Sequence, residues 1–252
     1  MAEFERGGSV RDMDVSAWQA RATAWELLAI SLRYPEHELA CAVASGEWAQ
    51  AADEIAAALG ASAPGFGALA GDAPTAASEA AVSGNASGEA VADALLHALR
   101  AEATRLFVGA PEPEVSPYEG VWGAKDDDVQ PLLFVSPRAM AVERFCRDCG
   151  LGRPEGTNEP LDHVATECEL LEHLASVTAG FAALPEGFVG ESLPGGSAQA
   201  AYALFFEEHA ATWMPRFADA VAAAARYPFF RDAAALLRVV VDAESERFAV
   251  AG

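Results

Sequence analysis

The 252-residue chain is nearly without lysine. Lys125 is its single one, and Lys+Arg 16 stand against Asp+Glu 38 for a formal charge of −22. No broad basic face can form to neutralise phosphates, so nucleic acid and anionic membrane surfaces are not expected partners. Asp126 follows Lys125, so the Gly-Lys-Ser/Thr ending of a phosphate-cradling loop is missing as well. Cys41, Cys146, Cys149 and Cys168 are too few for a disulfide framework, which agrees with a reducing compartment and points to the cytoplasm. No apolar run approaches the roughly 18 residues of a spanning helix, and Met1-Ala2-Glu3-Phe4-Glu5-Arg6 has no apolar core of a secretory signal, so stable membrane insertion is not expected. His-Glu-x-x-His, Gly-x-Ser-x-Gly and Gly-x-Gly-x-x-Gly are absent, which leaves zinc protease, esterase and dinucleotide-binding readings without a starting point. Di-iron bundles need Glu-x-x-His pairs, but the residues three before each histidine are Tyr34, Ala94, Pro160, Leu170 and Phe206, and none is a carboxylate.

What the chain does have is alanine, leucine and helical periodicity. Hydrophobic residues make up 52% and charged residues 21%, the composition of a packed globule. Alternating β-branched runs are scarce, so the fold class is all-α, a single helical domain of about eight to ten helices over 16–250 behind a flexible N-terminus at 1–15. The first helix is predicted over 16–33 with Ser16 as N-cap and Trp18, Ala22, Trp25, Leu28 and Leu32 on one buried stripe. Helices over 36–45 and 47–59 follow, broken at Gly46. The small-residue stretch 61–88 reads as a mobile loop. A helix from Glu89 turns Leu95, Leu99, Leu106 and Phe107 inward and stops at Gly109 before two prolines. Residues 111–137 read as a non-helical loop packed on the body. Helices then run over 137–149, from Pro160 onward, over 198–226 with Pro215 kinking or restarting it, and over 229–248. Trp25, Phe205, Trp213 and Phe217 fall on helical stripes and are assigned to the core.

Two constellations carry chemistry on paper. Cys146-Arg147-Asp148-Cys149 is a C-x-x-C at the end of a helix, without the βαβ setting of a redox site and without a second pair for zinc, so these are read as ordinary thiols. Glu159-Pro160-Leu161-Asp162-His163 opens a helix. Pro160 suits a first turn and Asp162 is favoured there by the helix dipole, so capping explains both. The same dipole disfavours an imidazolium, so His163 is expected to be neutral near pH 7, able to accept and donate. A metal-dependent hydrolase or a nucleotide-handling enzyme using Asp162, His163 and Glu167 remains a rival, although no nucleophile accompanies them.

Read together, Leu99-Arg100-Ala101-Glu102-Ala103-Thr104-Arg105-Leu106-Phe107-Val108-Gly109, Ser116-Pro117-Tyr118-Glu119-Gly120-Val121-Trp122 and Asn158-Glu159-Pro160-Leu161-Asp162-His163 resemble the TorD/DmsD/NarJ family of redox-enzyme maturation chaperones. Glu208-His209 through Phe217 and Ala225 through Arg231 resemble its C-terminal helices. The likeness implies a cytoplasmic, non-enzymatic, all-α chaperone without cofactor. Its partners would be the twin-arginine leader and the body of a molybdopterin oxidoreductase catalytic subunit, held until cofactor insertion and then released for export. The leader-binding positions it implies are Leu106, Tyr118, Trp122, Pro160, Asp162 and His163, and Glu119 joins them because two guanidiniums followed by an apolar stretch need carboxylates beside aromatics. The pattern departs at Ala103, where the family often has an aromatic. A permanent assembly subunit of a membrane-bound reductase would share the fold, and either a monomer or a helix-swapped dimer fits it.

Overall fold

The structure, a computed structural model, describes residues 6–61, 65–67, 88–126, 136–152 and 160–251. The protein is all-α. Its helices are α1 (Arg6–Leu32), α2 (His37–Ser45), α3 (Glu47–Ala58), α4 (Gly88–Ala103), α5 (Glu119–Asp126), α6 (Pro137–Asp148), α7 (Val164–Ala179), α8 (Ala198–Phe205), α9 (Ala211–Ala224) and α10 (Pro228–Ala251). Wider π turns extend α4 over Thr104–Val108 and join α8 to α9 over Phe206–Ala210. Among the described residues, one isolated antiparallel bridge, Tyr118 with His163, stands outside this pattern.

Several elements differ from their sequence-predicted form. Helix α1 begins at Arg6, so Ser16 lies inside it instead of capping it. The predicted stripe is nevertheless buried, from Trp18 to Leu32. Helix α5 forms in the stretch read as non-helical, for a reason that lies in the site described below. Helix α7 starts at Val164, so Pro160 and Asp162 precede it and neither sits in its first turn. Helix α9 passes through Pro215 without a break, and the irregularity sits one turn earlier, in the π turn. The break at Gly46 is as expected, at φ 84, a conformation that costs glycine little.

The chain divides into two compact units. One comprises 1–26, 118–213 and 245–252, the other 27–117 and 214–244. The first has an aromatic core: Trp25 donates its indole N–H to the Tyr202 hydroxyl at 2.7 Å, and Trp18 meets the Tyr202 ring edge-on at 5.1 Å. The Arg247 guanidinium lies 5.2 Å above Trp18 and 4.1 Å above Phe248, a cation resting on aromatic faces. In the second unit Trp48 sits between Phe66 and Phe229, at 6.1 and 5.1 Å, and donates to Ser31 Oγ at 2.8 Å.

That second unit also holds a stapled turn. The Arg105 guanidinium grips Glu102 through two bonds, at 2.8 and 2.9 Å, and donates to the Ala224 carbonyl at 2.8 Å. Glu102 in turn accepts from the backbone N–H groups of Arg226 and Tyr227, just before α10. Burial pushes the Glu102 carboxyl upward, but Arg105 and the two N–H groups outweigh it and hold it below its ordinary value.

Candidate functional site

The site in the first unit grows from two helix starts. Helix α5 begins at Glu119, and Asp162 caps it from 42 residues away: its carbonyl accepts from the Glu119 N–H and its Oδ2 from the Gly120 N–H, both at 2.9 Å. An N-terminal turn leaves its N–H groups without partners, so this pairing is what lets a short, glycine-containing segment be helical. Helix α7 is capped by His163, whose Nδ1 accepts from the Ala165 N–H at 3.1 Å. An imidazole that accepts there carries no proton on that nitrogen, and burial lowers the His163 pKa to about 4. The Tyr118 and His163 rings meet edge to face at 5.2 Å beside their backbone bridge.

Glycine makes the cap possible. A Cβ on Gly120 would fall 2.6 Å from Ser136 Oγ and 2.9 Å from Asp162 Oδ2, and one on Gly123 would fall 2.2 Å from Cδ and Nε of Arg138. These two positions, three apart, share a helix face, and their missing side chains admit Ser136, Asp162 and Arg138.

Below that face lies Glu119, fully buried. Its Oε2 accepts from His209 Nδ1 at 2.8 Å and its Oε1 faces Arg138 at 3.5 Å. His209 is delivered by the π turn Phe206–Ala210 and stacks on Phe205 at 4.8 Å. The inserted residue of a π turn re-aims side chains and recurs at functional sites. Glu167, one turn into α7, accepts from the Trp213 indole N–H at 3.1 Å and hydrogen-bonds the Glu119 side chain. Complete burial, then the neighbouring negative charges of Glu119 and Asp162, drive the Glu167 pKa well above its ordinary value. Three carboxyl groups packed this closely resist ionising together, and the one whose ionisation is disfavoured by both burial and its neighbours is Glu167.

The structure thus brings Tyr118, Glu119, Asp162 and His163 together. Pro160 is buried just before them, and Trp122 lies one turn along α5, half-buried, with the Lys125 ammonium 4.7 Å from its ring. Leu106 is elsewhere, fully buried in the core of the second unit. Glu159 lies outside the described residues. Arg138 and His209 join the site without a signature in the sequence, and Trp213, assigned to the core by its helical spacing, also donates to Glu167 there. The pair Gly120 and Gly123, three apart just after the acidic Glu119, is the signal that something packs on this helix. Cys146 and Cys149 are buried free thiols pushed up to about 12 by desolvation, and burial, then the nearby Glu167, also raises Cys168 well above its ordinary value. Among the described residues, no three His, Cys, Asp or Glu side chains are grouped to hold a metal ion.

A family model described as nitrate reductase delta subunit matches residues 45–219, more than half of the chain. The chain belongs to the nitrate reductase delta subunit family. This membership bears out the resemblance to the TorD/DmsD/NarJ redox-enzyme maturation chaperones. Glu119, Arg138, Asp162, His163, Glu167, His209 and Trp213 all fall within the span matched to the delta subunit family. No curated protein matches the chain. No helix among the described residues is long and apolar enough to cross a membrane.

Proposed function

We propose that this protein is a cytoplasmic assembly chaperone, not an enzyme, that binds the twin-arginine leader of a molybdopterin oxidoreductase catalytic subunit and holds it for cofactor insertion before export. The family supports the class of client. The observation that carries the leader reading is the grouping of half-buried Tyr118, Trp122 and His163 around a carboxylate whose outer cation reaches solvent. A leader with two guanidiniums and an apolar stretch matches that combination. Of the positions named for the leader, we assign Tyr118, Trp122, His163 and the Glu119 carboxylate to contact with it, and buried Asp162 and Pro160 to positioning them. Leu106 acts through packing in its own unit.

The test is titration calorimetry of the full chain against the synthetic twin-arginine leader of a molybdoenzyme catalytic subunit from the same genome. Saturable one-to-one binding is expected, weakened about tenfold or more by Trp122→Ala or Tyr118→Ala, the scale of an aromatic contact residue. Absence of binding to that leader sinks the reading. The family description, a subunit, favours one second reading, a permanent component of the reductase. Recovery of a stoichiometric complex with mature reductase would support it, and recovery of leader-bearing precursor alone would support the chaperone.

A further inference from the structure

The Glu119–Arg138 pair has unequal halves. The Glu119 side chain is 1% exposed and that of Arg138 36%. On the buried side His209 holds Oε2 at 2.8 Å, whereas Arg138 reaches Oε1 through one nitrogen at 3.5 Å. A guanidinium well seated on a carboxylate makes two parallel bonds of about 2.7–2.9 Å. Among the described residues this long contact is the one partner of the Arg138 guanidinium. Its stem fills the gap left by Gly123, with Cδ and Nε 2.2 Å from where a Cβ would stand. The seat is shaped for a guanidinium, and the one in it is loosely held and open to water.

We propose that Arg138 is an internal stand-in for the ligand: an arginine of the bound leader takes the seat on Glu119 by displacing the Arg138 side chain. The proposal deepens the leader-binding reading above and rests on it. Exchanging like for like never leaves the buried carboxylate without its outer cation, which would be strongly destabilising. Arg138 enters water with its charge hydrated, giving up a single poor contact. A lysine cannot replace it in the seat on equal terms, because an ammonium is more strongly hydrated and lacks the planar fork. Arg138 is therefore a specificity-setting residue, since any ligand must outcompete it and the apparent affinity falls by the fraction of time the seat is closed.

Calorimetry on the full chain with the synthetic leader in twin-arginine and twin-lysine forms tests this, using wild type, Arg138→Met and Arg138→Lys. The methionine variant should bind the twin-arginine form roughly tenfold more tightly than wild type, the twin-lysine form should gain much less, and the lysine variant should fall between. A wild type that binds while Arg138→Met binds equally or less tightly overturns the exchange. An equal gain for both peptides overturns it too, since that is relief of charge repulsion alone. Should Arg138→Met fail to fold by circular dichroism, Arg138→Lys decides by the same criteria. Failure of wild type and variants alike to bind overturns the leader-binding reading itself, and the exchange with it.

Discussion

Asp162 is a helix cap whose helix is distant in sequence, and its substitutions separate shape from charge. Asp162→Asn keeps an oxygen for the Gly120 N–H, so urea unfolding should find a loss of no more than about 0.5 kcal/mol, whereas Asp162→Ala removes the acceptor and should cost about 1–2 kcal/mol. Equal losses in both would mean that charge, not the cap, is what α5 needs. Glu167 has the opposite electrostatic character. Its folded pKa is raised, so the folded state holds a proton that the unfolded state releases above about pH 4.5. Its contribution is fully present below that pH and is lost as pH rises, at up to about 1.4 kcal/mol per unit for one proton. Glu167→Gln cannot ionise and keeps a hydrogen-bond donor toward Glu119, so the fall in stability between pH 5 and pH 8 should flatten in this variant. An unchanged slope in denaturant unfolding at the two pH values would show that Glu167 is ionised when folded. His163 adds a separate loss on the acid side, because a folded pKa of about 4 means that the unfolded state takes up the proton first, between about pH 6.5 and 4.

At the scale of elements, α5 depends on two glycines that are not equivalent. A methyl at Gly120 meets Ser136 and Asp162, each tied down as a helix cap, while one at Gly123 meets the far end of a flexible arginine. Gly120→Ala should therefore cost about 1–3 kcal/mol through overpacking. Gly123→Ala should cost less than Gly120→Ala, because the helix-propensity gain of about 1 kcal/mol offsets part of the cost of shifting the Arg138 side chain. Thermal and urea unfolding of both variants check the order. The stretch 61–88 divides in a similar way. Phe66 is buried against Trp48, its N–H donates to Asp53 and the Gly67 N–H donates to Asp232. Phe66→Ala should cost about 3–5 kcal/mol, while shortening within 71–86 should leave stability nearly unchanged, since loop closure varies weakly with length. Mobility of the rest of that stretch lies outside the described residues. The helices with their own periodicity and breaks were legible, as α2, α3, α4 and α6 attest. Helix α5 was not, because its proline-, glycine- and aromatic-rich flank reads as loop and its cap comes from Asp162, 42 positions on.

For the whole molecule, a charge of −22 sets how a basic ligand arrives more than how tightly it stays. The association rate with a twin-arginine leader should fall steeply between low and physiological salt while the dissociation rate changes little, because long-range attraction is screened and the contacts at the site are not. Stopped-flow fluorescence at two ionic strengths measures both rates, and a salt effect confined to dissociation would show that the acidic surface plays no part in capture. Composition and periodicity determined the all-α class and the buried stripe from Trp18 to Leu32, since each follows from spacing, whereas the low pKa of His163 comes from its burial. The motifs of 99–109, 116–122 and 158–163 carried the family. Tertiary structure alone decided that Asp162 caps α5, that a π turn swings His209 onto Glu119, and that the Glu167 pKa is raised. Each of these depends on groups between about 40 and 90 residues apart sharing a few ångströms of space from which water is excluded, and there desolvation and neighbouring charge outweigh what any local stretch of sequence prefers.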